Sequence, residues 1–69
     1  MSYNYRKLSG RIVEVFGTQA KFAEAMELSE RTISLKMNNK RPWTQTEITK
    51  ASNLLNIKGE NISDYFFTR

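Results

Sequence analysis

The chain has 69 residues, neither cysteine nor histidine, 39 % hydrophobic residues, and 11 Lys+Arg against 7 Asp+Glu, a net charge of +4. This length leaves room for one domain, residues 1–69, with a thin core. The missing residue types exclude disulfides, thiolate or imidazole metal sites and histidine-based catalysis, so neither a cofactor, nor a metal, nor an enzyme is expected. No apolar run approaches the roughly 20 residues that span a bilayer. The opening Ser2 to Gly10 also lacks the apolar stretch of a signal peptide, which points to a cytoplasmic protein with no membrane partner.

Apolar residues recur at helical spacing and no useful alternating pattern is present, which predicts an all-α fold of five helices. The first spans about Tyr3 to Phe16, with Tyr5, Leu8, Ile12, Val15 and Phe16 on one stripe and Gly17 ending it. Thr18 caps the second, whose Phe22, Ala23 and Met26 face inward and which ends near Glu27. Ser29 caps the third, with Ile33 and Met37 one turn apart, and the polar stretch from Asn38 to Pro42 stops it. Thr44 and Glu47 have the spacing of a capping box, and Trp43 and Ile48 that of a hydrophobic staple, at the start of the fourth. Ile48, Ala51, Leu54 and Leu55 form its buried stripe, and Ile57 leads into a turn at Gly59. A short fifth helix begins at Asn61 or Ser63 and presents Ile62, Tyr65 and Phe66.

The positive charge is localised. Residues 1–30 and 42–69 are each neutral overall, so the excess falls on Arg31, Lys36, Lys40 and Arg41, at and after the third helix. With Ile33 and Met37 turned to the core, a step of about 100° per residue puts Arg31, Leu35 and Asn38 on the opposite side. An outward leucine beside an arginine suits a major-groove surface, where an apolar side chain meets a thymine methyl and Arg pairs with guanine.

Helices two and three are separated only by Glu27, Leu28 and Ser29, which forces a sharp crossing, with Leu28 in the angle. The run from Thr18 to Ser34 resembles the helix-turn-helix of Cro and the phage repressors, through Gln19, Ala23, Leu28, Ser29, Ile33 and Ser34. The resemblance extends over about residues 5 to 66. It implies a compact five-helix, lambda-repressor-like domain in which the second and third helices read DNA. The segments Ser2 to Tyr5, Arg11 to Gly17, Ser29 to Lys36 and Tyr65 to Phe67 resemble more narrowly the small early regulators of temperate phages of Gram-positive bacteria, Cro-like proteins or modulators of repression. One departure is Glu27, which stands where that family usually has glycine.

On this resemblance, the base-reading positions are Glu30, Arg31 and Leu35. Phosphate contacts fall to Gln19, Ser34, Asn38, Asn39, Lys40 and Arg41, which supply donors without sequence preference. The implied function is operator occlusion in a lysis/lysogeny switch, within the bacterial cytoplasm, with double-stranded operator DNA as partner. The alternative is an antirepressor that binds the phage repressor protein through the same third helix. Tyr65 and Phe67, in an aromatic C-terminal segment, are candidates for a protein interface, either with that repressor or in a homodimer.

Overall fold

The computed structural model describes residues 2–69, and the chain is all-helical, with no strand among the described residues. Five α-helices, α1 (Arg6–Phe16), α2 (Gln19–Met26), α3 (Glu30–Met37), α4 (Gln45–Leu55) and α5 (Ile62–Phe66), follow in order, with a 3-10 turn at Gly59–Asn61 before the last. They enclose one core cluster, in which Leu8, Phe22, Ile33, Ala51 and Leu55 are fully buried and Ile12 and Phe66 nearly so. Each helix except the last thus sends an apolar stripe into the same centre, and α5 closes it with Phe66. Tyr5 is buried beside them, and burial, with Tyr3 nearby, pushes its phenol above the ordinary range.

Local chemistry sets the helix starts. The hydroxyls of Thr18, Ser29 and Thr44 accept the backbone N–H groups of Lys21, Thr32 and Glu47 at 3.1 to 3.2 Å. At α4 the box is reciprocal, because the Glu47 carboxylate accepts the Thr44 N–H at 3.0 Å.

The ends of α2, α3 and α4 share one device. Glu27, Asn39 and Asn56 lie in the left-handed region, with φ of 61°, 61° and 59°. After each, the next N–H reaches back to a carbonyl five residues earlier: Leu28 to Ala23, Lys40 to Leu35 and Ile57 to Ser52, at 3.0, 2.8 and 2.8 Å. These are Schellman endings, which satisfy carbonyls that the helix leaves open. Asparagine tolerates this conformation, whereas at Glu27 it opposes the side chain.

Two expectations are corrected. The first helix begins at Arg6 rather than Tyr3, because Tyr3 and Asn4 spend their backbone groups on distant partners. Asn39 clamps Tyr3 on both sides, its Oδ1 accepting the Tyr3 N–H and its Nδ2 donating to the Tyr3 carbonyl, each at 2.9 Å. The Asn4 N–H meets the Thr68 carbonyl at 2.6 Å, so the segment before α1 is tied to the one after α5. Val15 was expected in the core stripe and is 42 % exposed. Its phase is that of Leu8 two turns earlier, but in the last turn of α1 the core contact is made by Phe16, partly buried with its ring centroid 5.6 Å from that of Phe22.

Candidate nucleic-acid or repressor interface

The angle between α2 and α3 is set by Leu28, half-buried against the core, and by Phe22 and Ile33, which are completely buried at either side of the turn. Lys50 braces the turn from α4, its ammonium lying 3.1 Å from the Glu27 carboxylate and 3.3 Å from the Met26 carbonyl. With the crossing held in this way, α3 turns Ile33 inward and leaves Glu30, Arg31 and Asn38 exposed. Leu35 is half-buried and does not pack on the core cluster. Of the three positions expected to read bases, Glu30 and Arg31 are thus exposed and Leu35 is half-buried, with Glu30 in the first turn of α3, where a carboxylate also suits the helix dipole.

The polar residues around α3 divide into two groups. Asn38 donates from Nδ2 to the Ser34 carbonyl at 2.8 Å, so these two act as one unit. Gln19, at the start of α2, meets Asn38 across a cleft of about 340 Å³ that Arg6 and Ser9 also line. Sequence reasoning missed Arg6, since no local pattern links it to α3; only the packing of α1 brings it there. Lys40 and Arg41 form the second group, exposed on the loop after α3 and without an ion-pair partner among the described residues. Asn39 lies between the groups, but its amide is occupied by Tyr3.

One cation of the basic block does not reach the surface. Lys36 is only 4 % exposed and pairs with Glu47 at 2.7 Å, while its ammonium also donates to the Pro42 carbonyl at 2.9 Å. The Trp43 ring lies 5.8 Å from the same ammonium. Burial alone would raise the Glu47 carboxyl, but hydrogen bonds from Lys36 and Thr44 and the lysine charge outweigh it and hold the carboxyl below its ordinary value. The exposed basic excess is thus Arg31, Lys40 and Arg41, and Lys36 serves to pin the loop that carries the last two. No group of metal-ligating side chains exists among the described residues, nor any helix long and apolar enough to cross a membrane.

Phe67 and Tyr65 part company in the structure. Phe67 is 49 % exposed and meets Tyr3 edge-on at 5.8 Å, whereas Tyr65 packs against the core and carries the Lys7 ammonium 4.8 Å above its ring.

Comparison with known proteins assigns the family. Residues 1–69 match the family described as "Protein of unknown function (DUF739)", and the chain belongs to it. Among solved structures, it is similar to the solution structure of the modulator of repression of the temperate bacteriophage TP901-1 from Lactococcus lactis. The two share 52 % identity over 97 % of this chain and 90 % of that one, with a TM-score of 0.85. No curated protein matches the sequence significantly.

Proposed function

We propose that this member of the DUF739 family is a modulator of phage repression, which acts in the cytoplasm of a bacterial host by binding the matching phage repressor and altering its hold on operator DNA. The observation that carries this reading is the 52 % identity, over nearly the whole chain, with a modulator of repression. The outward side of α3 supplies the contact surface: Arg31 and Leu35 are its anchors, and Glu30 gives it a carboxylate for a basic partner.

A second reading is direct operator binding by a Cro-like helix-turn-helix, favoured by the placement of Arg31 and Leu35 on one side of α3 with Lys40 and Arg41 just beyond it. DNase footprinting separates the two, using the protein alone, the repressor alone and both together on the phage promoter region. Modulation through the repressor leaves the DNA unprotected by this protein alone and changes the repressor's footprint. A footprint from the protein alone, unaffected by the repressor, establishes the second reading instead.

A further inference from the structure

Where the two ends of the chain meet α4, two cavities lie side by side. One, of about 360 Å³, is walled by Tyr3, Trp43, Ile48 and Phe67 and lined by the exposed Lys40 and Arg41. The other, of about 420 Å³, shares Trp43, Ile48 and Phe67 and adds Gln45, Thr49 and Ile62. The shared walls make them one groove, and no carboxylate lines it among the described residues. Neither Arg31 nor Leu35 borders it, so it is separate from the outward side of α3.

Its chemistry changes along its length. At one end are two cations without ion-pair partners; at the other, only apolar and neutral polar side chains. A nucleic acid strand carries a charge on every nucleotide and needs cations along its whole track, which the second half does not provide. A peptide needs charge only where its own charges fall, and a bulky apolar residue fits the other half. The wall is also held in advance. The Asn39 clamp fixes Tyr3, Tyr3 meets Phe67 edge-on, and Trp43 stacks edge-on against the buried Phe66 at 5.3 Å, which lowers the ordering cost of docking.

We propose that this groove docks an extended acidic peptide segment of a partner protein, with its carboxylates at Lys40 and Arg41 and an apolar anchor between Trp43, Ile62 and Phe67. The docking site is distinct from the α3 surface, so a partner can be held here while α3 remains available.

The test is NMR titration of the isotope-labelled full chain with three probes: a short peptide of aspartates followed by Leu and Phe, the same peptide with lysines for aspartates, and a short oligo-deoxythymidine strand. The acidic peptide alone is expected to shift the Lys40 and Phe67 amides and the Trp43 indole signal saturably. Phe67→Ser is expected to weaken it about tenfold, as is the double change Lys40→Glu with Arg41→Glu, while Arg31→Ala leaves it unchanged. The double change keeps the test valid if Phe67→Ser loses its dispersed spectrum. Equal response to both peptides, response to the oligonucleotide only, or groove shifts that follow protein concentration alone, as a second copy would cause, would each overturn the proposal.

Discussion

The Lys36 ammonium and the Glu47 carboxylate, 2.7 Å apart, join the last turn of α3 to the first turn of α4 across the loop that carries Lys40 and Arg41. Glu47 thereby completes two structures at once, the ion pair and the capping box of α4. Glutamine can still complete a capping box, so Glu47→Gln isolates the ion pair. It is expected to cost about 1 to 3 kcal/mol at neutral pH, because it leaves a buried ammonium without its counter-charge. The folded carboxyl titrates below its ordinary value of 4.5, so the stabilisation is fully present above that value and is lost as the pH falls through the depressed one. Urea denaturation of both proteins from neutral to acidic pH checks this: the gap between them should narrow only below the ordinary carboxylate range.

At the α2–α3 turn, the strain of a left-handed glutamate, on the order of 1 kcal/mol, competes with the exposed Lys50 contact, which in general is worth less. Glu27→Gly should therefore raise the melting temperature. Glu27→Ala loses the contact and keeps the strain, so thermal melts should rank glycine above the parent and alanine below it.

Phe22 and Ile33 have no exposed surface, and Leu28 is half-buried. Truncating either of the first two to alanine should cost roughly 2 to 5 kcal/mol, a large share of what a domain of this size holds. Leu28→Ala should cost less. Circular dichroism melts give the order, and equal values for all three would contradict the helix faces described above.

Arg31 and Lys40 are expected to divide the work on the outer surface. If the protein contacts an operator, alone or beside the repressor, Arg31→Ala should weaken binding mainly at the correct sequence, by roughly 1 to 3 kcal/mol. Lys40→Ala should weaken all DNA about equally and flatten the salt dependence. Electrophoretic shifts with specific and random duplexes at several salt concentrations distinguish the two effects; equal loss on both duplexes in both variants would refute the division.

The order and faces of the helices were legible because their signals are local. Thr44 and Glu47 announce the α4 start three residues apart, and Ile33 with Met37 orients α3. The link between Tyr3 and Asn39 spans 36 residues and has no periodicity to reveal it. The burial of Lys36 was hidden for a different reason. A charge count does not tell a buried lysine from an exposed one, whereas the helical phase places Lys36 near Ile33, three residues earlier, and its ammonium meets Glu47 of α4. The Asn39 and Asn56 endings were overlooked although asparagine is a known substitute for glycine there, which is a signal the composition does carry. The outward placement of Arg31 was legible; that of Arg6 near Gln19 depended on packing alone.

The bond between the Asn4 N–H and the Thr68 carbonyl has a topological consequence. With Asn4 and Thr68 side by side, the backbone can be closed between these segments by a short flexible linker and cut elsewhere, for example in the exposed turn at Lys58 and Gly59. Such a circular permutant would start with the 3-10 turn and α5, run through the linker into α1, and finish with α4. The covalent joint would shorten the loop that the unfolded chain must close to bring α1 against α5. The order in which the helices are connected is therefore separable from the way they pack.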